Sequence, residues 1–289
     1  MNEPPTTPRA PASRPVDREF PEIDTNVAHA ARVYDYLLGG DSHFAVDRAA
    51  AHAQLDALGN TLEETRAEIR ANRAFLGRAV RYLAEEVGIR QFLDLGTGIP
   101  NEDNVHGVAH EAAPDARVVY VDNDPVVLAH AHALLRSTPE GVADYVYADL
   151  MDPPTVLRHA AATLDLDRPV AVMLISLLHL VPDAADPDGL VRAYMDGVGP
   201  GSHLVVTQLT KDVRPEAMAR LEKAAPPDAR YSFVMRSHAE VSRYFDGLEL
   251  VEPGVVTVDR WRPGADPNAG SGRPDGEPVP FYGGVGRKP

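Results

Sequence analysis

Residues 91–100 read Gln91-Phe92-Leu93-Asp94-Leu95-Gly96-Thr97-Gly98-Ile99-Pro100, a short apolar run closed by an acid and two nearby glycines. Residues 91–95 read as a buried strand, 96–98 as a tight turn, and a helix is expected from Asp103 or Asn104. Such a turn lets a ligand touch the backbone and points free N–H groups of the helix start at it. A dinucleotide fingerprint wants a third glycine three residues after the second. Asn101 stands there, which disfavours a nicotinamide cofactor, and the acid in Asp94-x-Gly96-x-Gly98 points elsewhere.

Outward from this stretch, strand-like and helix-like runs alternate, the pattern of a parallel sheet with helices on both faces. Strands are expected at 91–95, 117–121, 144–147, 170–175 and 203–209, with helices at 104–113, 125–135, 154–163, 189–198 and 239–245. Residues 248–258 and 281–287 read as a closing antiparallel pair joined by a Pro/Gly-rich loop over 262–280. On the other side, turn-spaced apolar residues predict helices at 25–38, 45–58 and, in two pieces, 61–86. The expected organisation is a disordered tail at 1–24, a helical cap at 25–71 and a larger α/β domain at 72–289.

Composition narrows the class. Lys+Arg 28 against Asp+Glu 43 gives 28 − 43 = −15, which repels nucleic acid and anionic membranes. Without cysteine there is no disulfide, thiolate nucleophile or cysteine metal site. No signal peptide or membrane span is readable, so a cytoplasmic location is expected. Neither a Gly-x-Ser-x-Gly elbow, nor a phosphate loop, nor a Tyr-x-x-x-Lys pair occurs. His106 and His110 have helix-face spacing but no third partner, so no metal is expected.

The central stretch resembles motif I of the class I S-adenosylmethionine-dependent methyltransferases. The chain resembles more narrowly an actinobacterial family of that group. Its marks are Ala31-Arg32-Val33-Tyr34-Asp35-Tyr36-Leu37-Leu38-Gly39-Gly40, Asn72-Arg73-Ala74-Phe75-Leu76, residues 94–100 and Tyr120-Val121-Asp122-Asn123-Asp124-Pro125. The resemblance implies a Rossmann-like, seven-stranded, mostly parallel sheet with an antiparallel last strand. It also implies S-adenosylmethionine as cofactor and a small-molecule methyl acceptor, with no nucleic-acid or membrane partner.

It carries cofactor roles onto named positions. Asp94, Gly96 and Gly98 would face the methionine part; the usual third glycine of the motif is Pro100 here. Asp122, ending the second strand, would accept from the ribose diol, and Asn123 would lie beside it. Asp124, before Pro125, reads instead as a helix cap. Asp149 would accept from the adenine amino group, with Ala148 and Leu150 flanking the ring. Ser176 and His179 follow the fourth strand, where an open parallel sheet binds its ligands. Ser176 is a candidate cofactor contact, and His179 a candidate pocket residue or base. In the cap, Tyr34 is a candidate cofactor contact, and Asp41 and His43 are candidate substrate contacts. Arg32 and Arg73 remain unassigned. The competing readings are a non-catalytic sensor of the cofactor or its demethylated product, and a nicotinamide-dependent oxidoreductase.

Overall fold

A computed structural model describes residues 23–100, 104–134, 141–226, 229, 231–265 and 277–289. The expected tail therefore lies almost wholly outside the described residues, as do 266–276 of the expected loop. The cap opens with α1 (Ala30–Leu38), α2 (Ala45–Leu58) and α3 (Leu62–Tyr82). Alternation then follows as β1 (Gln91–Leu95), α4 (Val105–Ala112), β2 (Arg117–Asp122), α5 (Pro125–Leu134), β3 (Val142–Tyr147), α6 (Pro153–Ala160), β4 (Ala171–Leu174), α7 (Pro187–Asp196) and β5 (His203–Leu209). The chain ends through α8 (Pro215–Leu221), α9 (His238–Ser242), β6 (Glu249–Leu250), β7 (Val256–Thr257) and β8 (Phe281–Arg287).

The strands form one sheet in the order β3-β2-β1-β4-β5-β8-β6, with β7 also paired to β8. The first five are parallel, and β8 runs antiparallel between β5 and β6. Every residue of β1, β4 and β5 is buried, as expected for strands covered by helices on both faces. One apolar cluster packs α3 and α4 on one face, around Phe75, Phe92 and Trp261. The other packs α6 and α7 on the opposite face, around Leu174 and Tyr194. A smaller third cluster lies within the cap.

Four expectations change. The first helix begins at Ala30 rather than residue 25, because His29 and Arg32 are tied to acids elsewhere in the fold. The third segment is one unbroken helix ending in a π-helical turn at Leu83–Val87, closed by left-handed Gly88. Position 71 thus falls inside α3, so cap and sheet share a continuous rod. Residues 248–258 make two short pairings rather than one strand, because a turn through Pro253, which has no N–H, separates them. The short α8 was not expected from the sequence.

Arg78 of α3 fastens that rod to the far end of the chain. Its Nε donates to the Trp261 carbonyl (2.9 Å) and its Nη2 to the Val258 carbonyl (2.6 Å). Trp261 is fully buried, with edge contacts to Phe75 and Tyr82. Arg78→Leu would leave both carbonyls without these donors, at about 1–3 kcal/mol each. Chemical denaturation should show that loss; an unchanged midpoint would refute the fastening.

Candidate functional site

The carboxyl ends of the parallel strands open beneath the cap into a cavity of about 1170 Å³. Asp94, Gly96, Gly98, Asp122, Asn123, Asp149, Leu150, Ser176, His179, Tyr34 and Asp41 all line it. His43 does not. It is held by Gly40 O, Arg48 and the edge of Tyr36 on the cap surface, so it is not carried forward as a substrate contact.

The glycine turn is built differently from the sequence expectation. The N–H groups of Gly96 and Thr97 both donate to Val121 O (2.8 and 3.2 Å), and that of Gly98 donates to Asp122 Oδ2 (2.8 Å). In α4 the His106 N–H donates to Tyr120 OH (2.7 Å). These donors are not free for a ligand. Gly96 and Gly98 are left-handed, at φ 66° and 68°. A Cβ on Gly96 would come within 2.5 Å of Leu177 Cδ1, whereas one on Gly98 would meet nothing nearer than Ala31 at 4.0 Å. Gly96 is therefore required by its conformation and by Leu177, and only Gly98 leaves open space.

The acids divide their work. Asp122 also accepts from the Asp124 N–H (2.9 Å), so each of its oxygens holds one backbone donor and keeps further acceptor capacity. Burial raises its carboxyl above the ordinary range, against those two N–H groups. Burial pushes the Asp94 carboxyl up to about 7; Arg73 opposes this and Asp122 adds to it. A cation would relieve that cost. Asp149 is exposed and accepts from the Met151 N–H (2.9 Å).

Asp124 caps α5 by accepting from Val126 N–H (2.9 Å). It also anchors the cap: His29 Nδ1 lies 2.9 Å from its Oδ2 and Arg32 Nε 3.4 Å away. Burial opposes ionisation of Asp124, yet His29, the Val126 N–H and Arg32 together hold its carboxyl below the ordinary value. Asp47 of α2 completes the anchor, accepting from the backbone N–H groups of His29 (3.0 Å) and Phe44 (2.8 Å).

A polar chain joins the cap to the middle of the sheet. Asn72 Nδ2 donates to Ser176 Oγ (2.8 Å) and, at 3.4 Å, to Tyr34 OH. Ser176 N–H donates in turn to Thr207 Oγ1 (2.8 Å). Ser176 sits at φ 53°, a costly conformation for a serine, and one often kept at functional positions. Just beyond it the His179 imidazole is buried, and Nδ1 has no hydrogen-bond partner among the described residues. Burial, helped by nearby Arg236, pushes it down to about 3, so the ring is neutral. Arg236 also fixes the turn, donating to Leu178 O (2.6 Å) and Val181 O (2.8 Å).

Sequence reading missed Asn72, Thr207 and Arg236. Asn72 lay inside a quoted motif, but its partners are 104 and 38 residues away. His106 and His110 are separately engaged by Tyr120 OH and Ala116 O. Among the described residues no group of three or more His, Asp or Glu could hold a metal, and no helix is long and apolar enough to cross a membrane.

Comparison with known proteins follows the same lines. The sequence profile of a family described as S-adenosyl methyltransferase matches residues 17–289. A DUF574 family protein of Streptomyces avermitilis, known from a crystal structure, is 42% identical, with a TM-score of 0.86 over 93% of this chain and 100% of its own. A candidate methyltransferase of Thermobifida fusca YX is 39% identical, with a TM-score of 0.79 over 93% of this chain and 97% of its own. No curated protein matches the chain.

Two outcomes follow from this geometry. A folded carboxyl near 7 against an ordinary value near 3.9 binds an extra proton between those values, so Asp94 lowers stability as pH rises from about 4 to about 7. Asp94→Asn should raise the unfolding free energy of the ligand-free protein at pH 8 by about 2–4 kcal/mol and leave it unchanged at pH 4. Equal gains at both pH values would refute the buried charge. Asp124→Ala should cost about 0.5–2 kcal/mol through the lost helix cap. It should also make residues 23–45 the first site of limited proteolysis; protection equal to wild type would refute the anchor.

Proposed function

The chain belongs to the S-adenosyl methyltransferase family, and from that premise we propose that it methylates a small molecule enclosed between its N-terminal helices and the carboxyl ends of its strands. S-adenosylmethionine is the cofactor of this family, and the residues present suit it. The observation that carries the placement is Asp94: a carboxylate at the end of β1, inside the cavity, whose burial calls for a cation such as the ammonium group of the methionine part.

The remaining roles follow the strand order. Asp122 has spare acceptor capacity for the ribose diol, and Asn123 lies beside it on the cavity wall. Asp149 would accept from the adenine amino group, with Ala148 and Leu150 against the ring. Tyr34 and Ser176, held by Asn72, would stand where the methionine part meets the acceptor. Asp41 lines the mouth from the cap.

Bound S-adenosylmethionine supplies a methyl group already made electrophilic by its sulfonium. The chain then has to hold the acceptor in line and keep water out. The cap, at residues 25–71, serves the second task, with α3 tying it to the sheet. His179 suits hydrogen bonding to the acceptor better than general-base catalysis, because its imidazole takes up a proton only near pH 3 and is a weak base at neutral pH.

Calorimetric titration of the full chain should show binding of S-adenosylmethionine and its demethylated product, and none of NADH. Asp122→Asn should weaken the product's affinity by about tenfold or more, the cost of one hydrogen bond to a charged group. Labelled methyl should then accumulate in low-mass products rather than in protein or nucleic acid. Binding of NADH alone, or label only in macromolecules, would overturn the reading.

A further inference from the structure

The strand order sorts the cavity into two halves. Along the carboxyl ends come Asp149 after β3, Asp122 on β2 and Asp94 on β1. Beyond them lie His179 after β4, Leu209 ending β5 and Phe281 opening β8, its register partner. At about 1170 Å³ the space exceeds the roughly 300–1,000 Å³ of a site for one small molecule. Two ligands side by side suit it.

The second half is walled by rings. His179 lies nearly parallel to Phe233, with centroids 5.9 Å apart and planes at 30°. Phe281 meets His179 edge-on at 6.4 Å, and Tyr231 meets Phe233 edge-on at 5.4 Å. Leu209 and Leu221 complete this wall. Charge is balanced there: Arg236, beside His179, is paired with Asp183 at 2.8 Å. Glu68 reaches the cavity but is held by Arg214 Nη2 at 2.6 Å, and Arg214 Nη1 also donates to Asn60 (2.8 Å). Arg73, near the boundary, is coupled to Asp94 of the other half. Asp35 and Asp41 of the cap sit elsewhere: Asp35 is coupled to Asp41, His43 and His130 of α5, the helix that follows β2. His179 is a buried polar group on this wall whose Nδ1 has no hydrogen-bond partner among the described residues.

An ion placed in this half would lie buried without an opposite charge, which is expensive. A flat ring gains edge and face contacts with three aromatic walls. A neutral imidazole offers one donor and one acceptor, and either satisfies a hydroxyl. We propose that the β4–β5–β8 half of the cavity binds the methyl acceptor, and that this acceptor is an uncharged, planar aromatic compound presenting a hydroxyl to His179. The identification of this ligand as the acceptor rests on the methyl-transfer reading above; the site itself does not.

The test uses 2-naphthol as probe, followed by its own fluorescence and by calorimetry on the full chain, with and without saturating S-adenosylhomocysteine. 2-Naphthol should bind at least about tenfold more tightly than 2-naphthoate or 2-naphthylmethylammonium, because each of these buries an unpaired charge. Saturation with S-adenosylhomocysteine should leave its affinity unchanged or improved. His179→Phe keeps a ring in the wall and removes the nitrogens, so it should weaken 2-naphthol about two- to tenfold and leave naphthalene unchanged. Phe233→Ala should weaken both. Displacement of 2-naphthol by S-adenosylhomocysteine, equal binding of a charged analogue, or no binding under either condition would overturn the proposal. Failure of S-adenosylhomocysteine to bind while 2-naphthol binds through His179 would instead remove the methyl-transfer reading and leave the aromatic site standing.

Discussion

Two carboxylates at the end of β2 hold the functional end of the molecule together. Asp122 closes the glycine turn through the Gly98 N–H and fixes the chain leaving β2 through the Asp124 N–H. Asp124 starts α5 and takes His29 and Arg32 from the cap. One short acidic segment thus sets the floor of the cavity, the direction of the next helix and the position of α1. Because the Asp122 oxygens are already engaged, any ribose contact there would be made by a group held rigid before a ligand arrives. Preorganisation of that kind lowers the ordering cost of binding.

The second organising device is α3. Its unbroken length carries Asn72, which reaches Tyr34 in the cap and Ser176 after β4, and Arg78, which reaches the carbonyls of Val258 and Trp261. Through Asn72 this helix ties Tyr34 of the cap directly to Ser176 in the turn between β4 and His179. The left-handed Ser176 is held by Asn72 and by Thr207, so its strain is sustained from two elements at once.

The sheet was largely legible in the sequence because its signals are local. The strands at 91–95 and 203–209 and the helix at 45–58 fall where apolar period and glycine stops put them. Asp124 before Pro125 reads directly as a cap, and forms one. What failed to show were relations over distance. Nothing near residue 29 announces that His29 and Arg32 answer to Asp124, and this anchor is why α1 starts late. Arg236 looks like a surface cation in isolation, yet it is buried and shapes the turn carrying His179. The glycine turn misled for another reason. The pattern marks a conformation, but which N–H groups remain free depends on Val121 and Asp122 of the neighbouring strand.

The two halves of the cavity store electrostatics in opposite senses. On the β1–β2 side Asp94 and Asp122 are both raised by burial, and Asp122 adds to the cost at Asp94, so the ligand-free protein is destabilised at the place where a cationic ligand would be received. A ligand that neutralises Asp94 would then stabilise the fold as well as occupy it, since binding to the native state alone shifts the folding equilibrium. On the β4–β5–β8 side the charges cancel within the wall through Glu68 and Arg214, and the imidazole stays neutral. An ion gains nothing there, whereas an apolar ring with one hydrogen-bonding group does. On the proposed assignment, a single cavity spanning one sheet edge would distinguish two ligands by charge alone, with the hydrogen-bonded Tyr34, Asn72 and Ser176 standing between them.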